Sequence, residues 1–206
     1  MKALPDVSRE TTDRLKIYAD LLEKWNPRIN LVSRKSLEHL WTRHFIDSMQ
    51  LLEIAEKPTG RWVDIGSGAG FPGLVIAILS VSAGSPEHVT LVESDARKCA
   101  FLRTVIRETG IAATVINQRI ETLGALKADV LSARALADLN LLLGFASRHL
   151  RETGTAIFPK GASWKKELEA AQRKWHFDHH LVKSKTDANA VIMAITGVPR
   201  VRSNAP

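Results

Sequence analysis

A single cysteine, Cys99, stands in 206 residues, so no disulfide can close within the chain and no cysteine cluster can hold a metal. Cys99 falls in a helical pattern with Phe101 and Leu102 and reads as a small buried hydrophobe. No apolar run approaches the roughly 18 residues a membrane-spanning helix needs, and the longest, near Leu74–Leu79, is far shorter. The opening Met1-Lys-Ala-Leu-Pro-Asp lacks the apolar core of a secretion signal. Internal repeats and low-complexity tracts are also missing. What is left is ordinary globular composition, 45% hydrophobic and 25% charged, expected in a reducing cytoplasm without a metal or a membrane partner.

Charge of one sign is in surplus, and it is unevenly spread. The net charge is +7, and residues 150–206 hold ten Lys/Arg against five Asp/Glu. Localised positive charge attracts phosphate backbones and speeds encounter with them. Along the chain, Leu15, Tyr18, Leu21, Leu22 and Trp25 keep helical spacing over residues 11–25, ending at Asn26-Pro27. A second helical zone is predicted over 36–55, and Pro58-Thr-Gly60 breaks the chain after it. Strands are then predicted at 61–65, 88–92, 113–117, 129–133, 154–158, 180–184 and 190–196, with helices near 72–80, 95–109, 138–150 and 163–175. Alternation of this kind means βαβ units with helices on both faces of a mostly parallel sheet. The last two strands lie too close for a crossover helix and should pair antiparallel at the sheet's edge. Seven strands with a terminal hairpin fit a Rossmann-like, class I methyltransferase sheet better than a dinucleotide-binding one.

The segment Arg61-Trp-Val-Asp-Ile-Gly-Ser-Gly-Ala-Gly-Phe-Pro-Gly73 bears on the cofactor. A short strand runs into glycines 66, 68 and 70, and a helix follows whose free N–H groups should aim into the same space. A dinucleotide fingerprint wants Gly-x-Gly-x-x-Gly, with the third glycine beside a pyrophosphate. Here Phe71 stands in that place, which suits a phosphate-free ligand such as S-adenosylmethionine. Asp64, two residues before Gly66, puts a carboxylate where that ligand's ammonium could sit. Glu93 ends the second strand, where a carboxylate can accept two bonds from a ribose diol. A solvated acid in a strand–helix loop is the plainer reading of Glu93.

Three motifs in order carry a family resemblance: Trp25-Asn-Pro-Arg-Ile-Asn-Leu-Val-Ser33, Arg43-His-Phe-Ile-Asp-Ser48 and the glycine turn through Gly73. Leu91-Val-Glu-Ser94, Arg119-Ile-Glu121, Ala133-Arg-Ala135 and Lys160-Gly161 extend it over about residues 20–196. The chain resembles the ribosomal RNA small-subunit methyltransferase G family. The resemblance implies a cytoplasmic enzyme that methylates N7 of one guanine in small-subunit ribosomal RNA, on the RNA or on the small subunit, from S-adenosyl-L-methionine; the chain itself is expected to act as a monomer. Carried over by position, the cofactor contacts are Gly66, Phe71, Ile120, Glu121 and Arg134, with Glu93 as the ribose-side acid. The chain is expected to divide into an N-terminal helical extension (1–58), a methyltransferase domain (59–198) and a flexible tail (199–206). The chain departs from the family at Pro159, which removes a backbone donor before Lys160.

Guanine N7 has an in-plane lone pair at neutral pH, so its methylation needs alignment rather than a general base, and no residue is assigned a catalytic role. Candidates for a donor to guanine O6 are Arg43, His44 and Lys160. Against them stand an intrahelical Arg43–Asp47 ion pair and a core histidine spaced four from Ser48. Trp164, Lys165, Lys166, Arg173, Lys174, Trp175 and His176 mix aromatics with cations, which would suit single-stranded RNA; an amphipathic helix with Trp164, Leu168 and Trp175 half-buried is the favoured reading. Three alternatives remain open: a methyltransferase of another RNA, a non-catalytic ribosome-binding module with a retained cofactor site, and a nicotinamide-dependent oxidoreductase, which fails at Phe71.

Overall fold

A computed structural model describes residues 7–55 and 60–202, so Pro58 and the last four residues of the expected tail lie outside it. Its strands are β1 (Arg61–Ile65), β2 (His88–Glu93), β3 (Ala113–Asn117), β4 (Ala128–Ser132), β5 (Leu150–Lys160), β6 (Trp175–Lys183) and β7 (Val191–Val201). They form one sheet in the order β3-β2-β1-β4-β5-β7-β6. The first five run parallel, and β7 is antiparallel to both β5 and the edge strand β6. This is the seven-stranded methyltransferase sheet expected from the sequence. The chain order reverses between β1 and β4, and open α/β sheets form their ligand crevice at the carboxyl ends of such strands.

The central strands are covered on both faces and read as apolar runs for that reason. Trp62, Val63 and Ile65 of β1 are fully buried, and so is Asp64 among them. Helix α1 (Arg9–Ile29) is capped by Ser8, whose hydroxyl accepts from the Thr11 N–H. It buries Leu15, Tyr18 and Leu22 against α5 (Ala96–Thr109) and α4 (Gly73–Ala83), in the same core cluster as Trp62 and Phe101. A second cluster on the other face gathers Val63, Leu131, Phe158 and Met193 with α6 (Leu139–His149). Helix α7 (Trp164–Lys174) leaves Trp164 and Leu168 half-buried, with Trp175 just beyond it equally so.

Four expectations are corrected. Helix α1 passes through Pro27 and stops only where Asn30 turns left-handed at φ 50°. The zone 36–55 is broken into α2 (Arg34–Leu37), a π-helical turn (Trp41–Ile46) and α3 (Asp47–Ile54). Pro159 does not disturb β5, whose register on β7 runs through Pro159 opposite Ile192. Residues 199–202 of the expected tail are not loose: β7 continues to Val201, and the Arg202 N–H donates to the Lys174 carbonyl. A bulge opposite His176–Asp178, with Gly197 at φ 72°, absorbs the buried Pro199.

Candidate active site

A crevice of about 1290 Å³ opens at the carboxyl edge of β1 and β4. Its inner rim is the glycine turn. Gly66, Gly68 and Gly70 all have positive φ, at 63°, 55° and 98°. Two of them are enforced by packing: a Cβ on Gly66 would lie 2.5 Å from Leu136, and one on Gly70 would lie 2.3 Å from Leu74. Gly68 is different. A Cβ there would meet nothing nearer than the Gly66 carbonyl at 3.8 Å, so its face is open to a ligand.

Glu93 fastens this turn to β2. Its carboxylate accepts from the Gly68 N–H and the Asp95 N–H, each at 2.8 Å, one on each oxygen. It is buried, not a solvated loop acid, and each oxygen keeps a lone pair for another donor. From α1, the buried Tyr18 hydroxyl donates to the Ala69 carbonyl at 2.5 Å.

Asp64 does not face the crevice. It is fully buried and accepts from Ser132 Oγ at 2.7 Å, while its Oδ2 makes no well-formed hydrogen bond. Burial raises its pKa to about 6, against the lowering effect of Ser132, Ser67, the Gly73 N–H and Arg134. The expected ammonium partner is thus an internal acid beneath the turn, and an N–H of α4's first turn is directed at it rather than at a ligand.

Phe71 also points inward. Its ring is 3% exposed and stacks on Tyr18 and His44, with centroids 5.1 and 4.8 Å away. The Arg134 guanidinium lies 4.9 Å over the same ring. It donates to the Arg43 carbonyl at 3.1 Å, meets His44 Nδ1 at 2.6 Å and faces Asp47 Oδ2 at 3.7 Å. A guanidinium can only donate, so His44 Nδ1 accepts and its proton sits on Nε2. Burial, reinforced by Arg134 and Arg43, pushes the His44 pKa down to about 3. Neither intrahelical pairing weighed from the sequence forms: Asp47 meets Arg134, and His44 meets Arg134 rather than Ser48. Arg134, reaching from the end of β4, takes both partners instead.

Lys160 is buried at the far wall, donating to the Ala137 carbonyl at 3.2 Å and pairing with Glu167 at 2.6 Å. Gly66, Phe71, Arg134, Arg43, His44 and Lys160 therefore share one crevice. Glu93, Ile120 and Glu121 lie outside it, nearer β2 and β3. Ile120 and Glu121 form a single 3₁₀ turn after β3, with Ile120 buried and Arg148 donating to the Glu121 carbonyl at 2.9 Å. Not foreseen from the sequence are Leu136, which packs on Gly66, and the β6–β7 loop residues Ser184, Thr186, Asp187 and Asn189, all of which also line the crevice. Turn-forming residues mark that loop, but nothing in the sequence shows what it faces.

The family model described as rRNA small subunit methyltransferase G matches residues 11–193. The chain belongs to this methyltransferase G family. Among curated relatives it is similar to "Ribosomal RNA small subunit methyltransferase G" of Ruegeria pomeroyi, 60% identical over 196 residues, covering 95% of this chain and 96% of the relative. The protein of the same name from Paramagnetospirillum magneticum is 50% identical over 197 residues, covering 96% and 94%. Solved structures agree on the fold. A mutant of MtNAS in complex with S-adenosylmethionine aligns at TM-score 0.60 and 18% identity, covering 92% of this chain and 76% of that one. A SAM-dependent methyltransferase from Aquifex aeolicus aligns at TM-score 0.60 and 12% identity, covering 81% and 99%. Among the described residues no group of His, Cys, Asp and Glu could hold a metal, and no helix is long and apolar enough to cross a membrane.

Proposed function

We propose that this protein transfers the methyl group of S-adenosyl-L-methionine to N7 of one guanine in small-subunit ribosomal RNA. The observation that carries the reading is that a chain of this family gathers the glycine turn, Arg134 and Lys160 around one crevice at the sheet's switch point. When bound, the cofactor supplies a methyl group on cationic sulfur, open to in-line attack by a lone pair.

The chain's own residues bind and orient. Gly68 leaves room for close approach of the main chain, and Glu93 keeps acceptor positions for ribose hydroxyls. Arg134 offers a guanidinium to a methionine carboxylate, while Gly66 and Phe71 shape the rim and Ile120 with Glu121 border the adenine end. Alignment of this kind can lower a barrier by roughly 7–11 kcal/mol in favourable cases. Two features support a mechanism without a general base. His44 is neutral with Nδ1 already committed to Arg134, and Asp64 is sealed from the crevice. Lys160 retains one N–H beyond its bonds to Ala137 and Glu167 for a guanine O6, and the exposed Arg43 forms no ion pair among the described residues. We read the enzyme as a cytoplasmic monomer acting on the RNA or the small subunit.

Incubation with methyl-labelled cofactor and small-subunit RNA is expected to move label into the RNA, and S-adenosylhomocysteine, not NAD, to raise the unfolding temperature. Cofactor binding without any transfer would leave a ribosome-binding module; stabilisation by NAD alone would remove the reading.

A further inference from the structure

The β6–β7 loop, residues 184–190, closes on itself. The Ser184 N–H donates to the Ala190 carbonyl and the Ala190 N–H to the Asp187 carbonyl, both at 3.1 Å, and Ser184 Oγ accepts from the N–H groups of Thr186 and Asp187. Such a unit shifts as a whole, so its place over the crevice depends on what anchors it. The anchor is one face of α3. Asp47, Gln50 and Glu53, spaced three apart, hold three consecutive loop residues. Asp47 Oδ1 accepts from Thr186 Oγ1 at 2.7 Å and lies 3.5 Å from Ser184 Oγ. Gln50 Oε1 accepts the Lys185 N–H at 2.7 Å, and Lys185 Nζ pairs with Glu53.

Asp47 serves a second client. Its Oδ1 holds the loop while its Oδ2 faces Arg134 at 3.7 Å, a long and therefore adjustable ion pair. Arg134, over the Phe71 ring, and the loop both line the crevice, with the Asp47 carboxylate between them. We propose that Asp47 is a positioning residue that couples occupancy of the cofactor site at Arg134 to the placement of the loop 184–190, the wall past which the target base must enter. The inference rests on the cofactor reading given above. A ligand carboxylate on Arg134 competes with Asp47 for one guanidinium. Relieved of part of that partner, Asp47 presents more of its charge to Thr186 and Ser184 and tightens the loop. Linkage makes the effect reciprocal: a loop fixed by RNA favours the cofactor-bound arrangement of Arg134. The two substrates would thus assemble in concert without touching each other's residues.

The test is hydrogen exchange of the amides of 184–190 in the full-length protein, with and without S-adenosylhomocysteine, alongside calorimetric titration of that ligand. In the wild type the ligand is expected to slow loop exchange by about fivefold or more, the lower end of measured couplings. Thr186→Val should abolish the ligand-dependent protection, weaken ligand affinity by no more than that same coupling factor, and raise KM for RNA more than KM for the cofactor. Asp47→Asn keeps a hydrogen-bond acceptor for Thr186 but removes the charge, so it should change ligand affinity and lose the coupling; Asp47→Glu should restore part of it. If Asp47→Asn does not fold, Thr186→Val and Asp47→Glu decide alone. Ligand binding with loop exchange unchanged in the wild type, or the same protection in Thr186→Val, overturns the coupling. No ligand binding by the wild type overturns the cofactor reading instead.

Discussion

Substituting Tyr18 by Phe isolates the tie between the N-terminal helix and the glycine turn. The hydroxyl donates to the Ala69 carbonyl at 2.5 Å, and neither residue reaches solvent to any extent, at 0% and 6% exposed. The ring stays, so its stacking on Phe71 and its edge contact with Phe45 are kept. The variant therefore leaves a buried carbonyl short of a donor, at a cost of about 1–3 kcal/mol. For a chain of this size each kcal/mol moves the unfolding midpoint by about 2–4 °C, so a fall of roughly 2–12 °C is expected. Ala69 borders the open face of Gly68, and a loosened turn should also weaken S-adenosylhomocysteine binding, by up to about tenfold for each 1.4 kcal/mol expressed in the bound state. Thermal unfolding and calorimetric titration read the two effects separately. A midpoint within about 1 °C of wild type, well below the expected shift, together with unchanged affinity would refute the idea that α1 holds the turn in place.

The two glycines should part company. Gly70→Ala places a Cβ 2.3 Å from Leu74 at φ 98° and should prevent stable folding, whereas Gly68→Ala, with no clash, should fold and lose ligand affinity; equal melting curves would contradict the packing argument. Asp64 has a folded-state pKa of about 6, above its unfolded value of 3.8, so its contribution to stability is present below about pH 4 and lost as pH rises through 6. Compared with Asp64→Asn, the wild type should lose roughly 3 kcal/mol across that window in denaturant titrations, and a pH-independent difference would refute it. Arg134→Gln should raise the His44 pKa part of the way from about 3 toward its ordinary 6.5, because burial, the larger cause, persists; an unmoved imidazole titration by NMR would refute the contact. RNA affinity should fall steeply with added salt if Arg43 and the cationic surface near α7 meet phosphates, and a flat response would argue against that footprint.

The sheet was legible because its strands are short apolar runs between helices, a pattern set by burial on both faces. The glycine turn was legible because positive φ demands glycine wherever the chain reverses this tightly. Side-chain roles were harder to read. Phe71, expected at the ligand, lines the crevice, but most of its ring is drawn under the turn by Tyr18, a partner more than fifty positions away. Asp64 was expected to face a ligand ammonium, but Ser132 at the end of β4 takes its carboxylate into the core. Four-residue spacing misled for Arg43 and His44 because Arg134, far along the chain, takes both His44 and Asp47. Pro199 resembled the start of a tail because a bulge that accommodates proline cannot be seen without the partner strand. The strands read at 180–184 and 190–196 left a short connection between them, yet its attachment to α3 joins segments far apart in the chain, such as Gln50 and Lys185.

The position of the methyl group on the RNA decides the proposed function most directly. Small-subunit RNA from cells with and without this protein should differ at one guanine, and that guanine should show the borohydride- and aniline-sensitive strand cleavage of a 7-methylated base only when the protein is present. Identical modification maps, or a difference confined to an exocyclic or ribose position, would contradict it.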